Sequence, residues 1–600
     1  MKYKFKDYLT IYFSSGWLFL IPYLFLYITT WYFEINKDIL LDKYYCLHIF
    51  HLIGYGYLFC NRFNNIKFDQ LIFWVAIGSL FLIPGAYLEY PSDALEHIRR
   101  IFQWEHLQKI NEGIAHYKFS YFWTYSLINF AEPSNYQNVL NIYYLIIGLI
   151  LALQFYELGI KLMNSVFWAK VSLVILIITY GNSSFSFFRY YALSSTMLCL
   201  LGFLVFLNAL ISYNSGYYKK NILFMFLGIV LAVFNHPQAI LFIISALVSF
   251  YCYTILLKKG NVSGIVFLLK IGSFIYFLFF IFYNTFAQLE FKQIIENIHK
   301  TNNWLYPWGG FKIISTNLDY TGPKRFLQII GLLGVINLIF AILLLRKNEI
   351  IAWISITPIL LLLYPPFSIP LAYILEKWNT IIVYHRILLV IPSGFCIVFT
   401  LKKISEFKNI KEHLSSRNVA NIVLLLVLLF SVVPHPLNYG RIINLIDTSF
   451  DRYKISELQK TANILKLKLN LDSNSIILSD STTQFYISAC LGLKVAGQRK
   501  GWLKAENINQ RIRKIGGIKS ILYDKRISAI LCVNRDLDLM YNSSMLGSAS
   551  GHWRENFINE SLAYNSSSID KLDELLEYGW RKSKLNPWYD LYTPRNTEND

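Results

Sequence analysis

Residues 190–259 read YYALSSTMLCLLGFLVFLNALISYNSGYYKKNILFMFLGIVLAVFNHPQAILFIISALVSFYCYTILLKK. Three apolar runs start near residues 190, 220 and 239, divided by YNSGYYKK and by FNHPQ. Each approaches the roughly 20 apolar residues that carry a helix across a bilayer. Lys219, Lys220, Lys258 and Lys259 close the runs on one side, and the FNHPQ turn closes them on the other. Basic residues concentrate on the cytoplasmic side of membrane proteins. This stretch therefore reads as membrane helices crossing back and forth.

Composition extends that reading to the whole chain. Its 600 residues are 55% hydrophobic and 16% charged, with mean hydropathy +0.40. Soluble globular proteins carry about 25% charged residues. A disordered chain, a coiled coil and an ordinary soluble enzyme are excluded. Aromatics reach 17%, which suits large membrane–water interfaces. The formal charge of +19 reads as cytoplasmic loops facing anionic lipid rather than as a nucleic-acid surface.

Thirteen candidate spans start near residues 10, 43, 70, 139, 167, 190, 220, 239, 263, 326, 350, 383 and 419. With the N-terminus inside, Lys2, Lys4, Lys6, Arg62, Lys67, Lys161, Lys170, Arg346, Lys347 and the basic stretch 402–418 also fall inside. The opposite short loops hold Lys37, Lys43 and Arg189. The apolar run after MKYKFKDYLT is too long for a signal peptide and lacks a small-residue cleavage site. The outer face then receives loops at about 89–138, 288–325 and 364–383, and the tail from about 436. The expected division is a membrane domain, 1–435, and an extracytoplasmic domain, 436–600.

The tail changes character. Asp451 to Leu467 reads as an amphipathic helix, Ile476 to Leu478 as a buried strand and SDSTTQFYISACLG as a capped helix. LKVAG reads as a further strand. ENINQRIRKIGGIKSILYDKRISAILCV reads as a helix, a GG break, a short helix and the strand Ile527–Val533. SIDKLDELLEYGW reads as a helix. Alternating strands and helices predict a small α/β domain with a mainly parallel sheet. Seven scattered cysteines give no zinc spacing, and Cys490 with Cys532 is a candidate outer disulfide.

The first long outer loop opens YLEYPSDALEHIRRIFQWEH, residues 87–106. Pro91 and Ser92 favour a helix start. Asp93, Glu96, His97 and Arg100 then share one helix face. Two carboxylates and an imidazole beside a membrane can remove a proton from a hydroxyl nucleophile. Other outer segments add polar groups: Arg189; His236 and Gln238; Trp304, Tyr306 and Lys312; Tyr384, His385 and Arg386. Ionisable residues at such depth are functional candidates, and Arg or Lys can neutralise a phosphate leaving group. These parts suit transfer from a lipid-linked phosphate donor. The chain has no phosphate loop, no HEXXH and no nucleophile elbow.

Many spans, an acidic pair in the first large outer loop and an outer α/β tail resemble the GT-C superfamily of integral membrane glycosyltransferases. Tyr90 to His97 looks like their acidic loop motif, and Ile476 to Gly492 looks like the soluble domain of bacterial members. The resemblance implies inverting transfer from a polyprenyl-phosphate sugar to a lipid, glycan or protein acceptor outside the bacterial inner membrane. It implies Asp93 as base and Glu96 as its partner, with His97 beside them. In some members a divalent cation, Mg or Mn, assists, and here Asp93 and Glu96 would hold it. Arg386 is the expected donor-phosphate contact, with Arg189 or Lys312 as alternates. His236, Gln238, Trp304, Tyr306, Tyr384 and His385 are expected to bind substrate. The competing expectations are an O-antigen-type polymerase or ligase, a lipid-linked glycan flippase or transporter, and a non-catalytic scaffold.

Overall fold

The computed structural model describes residues 12, 16–62, 68–82, 93–112, 118–131, 136–179, 195–213, 218–257, 322–347, 349–363, 387–406, 418, 421, 457–493, 508–533, 566–587 and 589–595. These residues are mostly helical. In chain order they form α1 (Leu20–Tyr32), α2 (Lys37–Arg62), α3 (Phe68–Leu82), α4 (Asp93–Phe102), α5 (Phe119–Ala131), α6 (Tyr136–Met163), α7 (Val166–Thr179), α8 (Ser195–Tyr213), α9 (Tyr218–Val233), α10 (Ala239–Leu257), α11 (Gly322–Leu345), α12 (Ile350–Leu363) and α13 (Phe395–Ser405). The tail adds α14 (Glu457–Lys468), β1 (Ile476–Leu478), α15 (Ser481–Cys490), α16 (Ile508–Lys514), α17 (Ile518–Tyr523), β2 (Ile527–Val533), α18 (Ser566–Glu577), β3 (Trp580–Lys584) and β4 (Tyr589–Pro594).

Three helices among the described residues are long and apolar enough to cross a membrane: Leu145–Met163, Ser195–Tyr213 and Ile387–Ser405. That is far fewer than the thirteen expected. The difference is one of length and polarity. Runs that read as spans near 167, 220 and 350 fold as shorter apolar helices, Val166–Ile177, Lys220–Val233 and Ile350–Leu362. The run near 43 became α2, whose 26 residues include two histidines. The runs from 263 and 419 lie outside the described residues, residue 421 apart.

α2 is polar inside and apolar outside. Tyr44, His48 and His51 are buried, whereas Leu52 and Ile53 are 64% and 67% exposed. In a water-soluble protein the large apolar side chains would turn inward. The buried polar groups form a chain with one consistent direction. Ser126 Oγ donates to Trp123 O at 2.7 Å, so it accepts from His48 Nε2 at 3.1 Å. His48 Nδ1 then accepts from the Tyr23 hydroxyl at 2.8 Å. Tyr23 in turn accepts from His51 Nδ1 at 3.0 Å, and His51 Nε2 accepts from Tyr12 at 2.8 Å. With both imidazoles neutral, each of these ring nitrogens is satisfied.

α8 and α9 meet backbone to backbone. A Cβ on Gly202 would stand 2.5 Å from Ala232 N, and one on Gly228 would stand 2.7 Å from Gly202 O. Small residues at such crossings let helices approach where apolar lipid gives no driving force.

The tail sheet runs β1-β2-β4-β3. β1 and β2 are parallel, but β2–β4 and β3–β4 are antiparallel. The expectation of a mainly parallel sheet is therefore corrected. The closing hairpin turns at Asn586, whose Oδ1 accepts from Tyr589 N at 2.9 Å. Its first strand carries Arg581, Lys582 and Lys584, a pattern too polar to read as a buried strand. The expected strand at LKVAG falls mostly outside the described residues. Cys490 and Cys532 are free thiols, in α15 and β2, so the candidate disulfide is also corrected.

Strand alternation gives the sheet two buried faces. Ile477, Ala529, Leu531, Tyr589 and Leu591 share a core with the helical part of the chain. Leu478, Ile530, Cys532 and Tyr592 pack with Ile508, Ile521 and Leu572 in a second core.

Candidate functional site

The acidic stretch folds as expected into α4, which begins at Asp93 and carries Glu96 and His97. The side chains of Asp93 and Glu96 lie outside the described residues; their helix positions do not. His97 directly follows Glu96, one turn on from Asp93. Its Nδ1 lies 2.6 Å from the Tyr121 hydroxyl, and the rings stack at 5.7 Å between centroids. Arg100 lies 6.0 Å above the same tyrosine ring, and Lys118 lies 5.7 Å from its centroid. Tyr121 is 1% exposed, so both cations meet a desolvated aromatic face, where the ring quadrupole attracts them most.

The start of α5 presents Lys118 and Tyr121, and the FNHPQ turn holds it. Phe119 N donates to Phe234 O at 2.9 Å. Ser120 N donates to Asn235 Oδ1 at 3.0 Å, and Asn235 Nδ2 donates to Leu231 O at 2.7 Å. The first N–H groups of a helix have no partner within it, and here a hairpin between α9 and α10 supplies partners for two of them. The same turn buries His236 and Gln238. His236 Nδ1 accepts from Gln238 N at 3.2 Å. Burial, then the charges of Lys118 and Arg100, hold His236 well below the ordinary histidine range.

The structure thus joins two segments that are far apart in sequence. His97, His236 and Gln238, all expected as site residues, stand around α4 and the start of α5, together with Arg100, Lys118 and Tyr121. Arg100 was placed on the acidic face by its spacing but given no role. Lys118 and Tyr121 were missed. The signal available was a lone lysine opening the aromatic run KFSYFWTY, residues 118–125. Nearby, the hydroxyls of Ser120, Ser195 and Thr196 are buried without a hydrogen-bond partner among the described residues. Ser195 and Thr196 open α8, and Cys199 one turn later contacts His236 O.

The remaining expected contacts, Arg189, Trp304, Tyr306, Lys312, Tyr384, His385 and Arg386, lie outside the described residues. Among the described residues no three His, Cys, Asp or Glu side chains converge to hold a metal ion. No family model matches the chain, and no curated protein matches it. The functional reading therefore rests on the chain's own residues.

Proposed function

We propose that this chain is a GT-C-like membrane glycosyltransferase that moves a sugar from a polyprenyl-phosphate donor to an envelope lipid, glycan or protein acceptor. One observation carries the reading: a single helix, α4, bears two carboxylates at its start, and its other half enters a cluster of cations and imidazoles. Group transfer from a phosphate ester needs both. Asp93 takes the proton from the acceptor hydroxyl as its oxygen bonds to the anomeric carbon. Glu96 is its partner. The donor's C–O bond breaks on the opposite side, and the electron pair leaves on phosphate. Arg100 and Lys118 offset that developing charge. Arg100, on the acidic helix itself, and Lys118, over the same tyrosine ring, join Arg386, Arg189 and Lys312 as candidates for that role.

His236 stays neutral beside these cations and donates or accepts a hydrogen bond without adding charge. The buried hydroxyls of Ser120, Ser195 and Thr196 supply neutral donors of the kind that hold sugar or phosphate oxygens. A divalent cation suits hard carboxylate oxygens, and Asp93 with Glu96, three residues apart on one helix face, is the pair that would hold it.

The membrane placement is supported by the three long apolar helices and by the outward apolar face of α2. In this reading the shorter apolar helices also lie in the bilayer. The loop lysines and arginines face the cytoplasm, and α4 and the tail from 436 face outward.

The test compares native-host membranes carrying wild type, Asp93→Asn and a deletion, with protein levels matched. Glycolipids and surface glycans are profiled by mass spectrometry. Asp93→Asn should reproduce the deletion and lack one sugar unit, whose mass names the sugar. A deletion that changes the glycans while Asp93→Asn does not would remove Asp93 from the site and favour a polymerase or flippase. Unchanged glycans on deletion would end the glycan reading.

A further inference from the structure

The segment that follows α4 is gripped from two sides. On one side Lys37, at the start of α2, donates through Nζ to Trp104 O, and its backbone N–H donates to Gln108 O at 2.7 Å. On the other side stands the tail. α15 packs against α14 and β1 and also against α4. His106 Nε2 lies 2.8 Å from Leu491 O, so that nitrogen carries the hydrogen and donates. Lys466 pairs with Glu105 at 2.7 Å.

The tightest approach is at Gly492. Its φ is +69°, and a Cβ there would stand 2.4 Å from the carbonyl carbon of Phe102, 2.5 Å from its oxygen and 2.6 Å from Gln103 N. All three are backbone atoms, so no side chain can swing aside. Phe102 is the last residue of α4. A helix of ten residues is a rod of about 15 Å, and displacing Phe102 displaces the acidic end with it.

We propose that the C-terminal region is a positioning element for the acidic helix, with Gly492, His106 and the Lys466–Glu105 pair as its positioning residues. The proposal rests on the transferase reading only for what α4 does, not for how it is held. The tail is then part of the site's construction, and its removal or displacement takes Asp93 and Glu96 out of register with Lys118 and His236.

The experiment uses the full chain in lipid nanodiscs and in the host. Hydrogen exchange is followed across residues 97–107 in wild type, Gly492→Ala and Gly517→Ala. Gly517 has φ +85° and ψ −168°, with nothing within 4 Å of a Cβ placed there, so Gly517→Ala carries backbone strain of its own without the collision. Gly492→Ala should speed exchange in that segment and lower the glycan product severalfold, whereas Gly517→Ala should do neither. Lys466→Glu should lower the product by about threefold, the scale of an exposed ion pair. The exchanged pair K466E/E105K should restore it, a rescue that general destabilisation would not give.

Unchanged exchange in Gly492→Ala overturns the proposal whatever the glycans show. Faster exchange with full product overturns the positioning role. If Asp93→Asn leaves the product intact while Gly492→Ala speeds exchange, the transferase reading falls and the held helix stands.

Discussion

His236 is a histidine whose environment opposes its charge. It is 7% exposed, and Lys118 and Arg100 add to the effect of burial. Its folded value lies below the ordinary value of about 6.5, so the unfolded chain takes up the proton first. The stability tied to this residue is full above about pH 6.5 and drains as pH falls, by up to about 1.4 kcal/mol per unit. His236→Gln removes the titration and keeps a hydrogen-bond acceptor. Thermal midpoints of the detergent-solubilised protein, measured between about pH 8 and about pH 5, should fall less steeply for His236→Gln than for wild type. Parallel curves would show that His236 is not held neutral. At this scale the sequence supplied His236 and Gln238 as a polar turn between apolar runs. It could not supply Lys118 as their neighbour, because Lys118 and His236 stand 118 positions apart and no periodicity spans that gap.

At the scale of elements, close approach decides more than composition does. α8 and α9 touch through Gly202, Gly228 and Ala232. Gly202→Ala forces a Cβ onto the Ala232 backbone and should cost about 1–3 kcal/mol, the usual penalty of overpacking. Gly56, in the C-terminal third of α2, meets nothing within 4 Å. Gly56→Ala should be neutral or stabilising by up to about 1 kcal/mol, because it lowers the helix's entropy cost. Denaturation of the two variants side by side checks both signs. Equal behaviour would refute the tight crossing. The longer helices were legible in their apolar runs, as were β1, the strand Ile527–Val533 and the GG break between α16 and α17, whereas α5 was not, because it lies inside the stretch 89–138 that reads as a loop. The β3–β4 hairpin was not, because WRKSK carries three basic residues in five positions and its burial comes from partners rather than from its own pattern.

For the whole molecule, α2 states the solvent most directly. Its apolar residues face out and its histidines face in. Spin labels at Leu52 and Ile53 in bilayers should be accessible to dissolved oxygen and shielded from a water-soluble nickel chelate. The reverse result would place that face in water and undo the membrane reading of α2. The same inversion contributes to the low mean hydropathy of α2, alongside Lys37, Asp38, Asp42 and Lys43 in its first two turns. Averaging over all faces counts Tyr44, His48 and His51 against it, although none of them meets the surroundings.

The sequence by itself determined the class: a chain so apolar and so short of charge folds as helices suited to a membrane, with a small tail sheet whose parallel pair, β1 and β2, shows in its isoleucine-rich runs. It also placed the acidic helix, since Asp93, Glu96, His97 and Arg100 share a face by spacing alone. Only the tertiary structure decided what stands opposite that face. Lys118, Tyr121 and His236 arrive there because a hairpin between two helices supplies the N–H partners of α5. The tail reaches α4 because Gly492 leaves room for the Phe102 backbone. Such contacts depend on the absence of a Cβ or on a single carbonyl, and these leave no periodic trace along the chain.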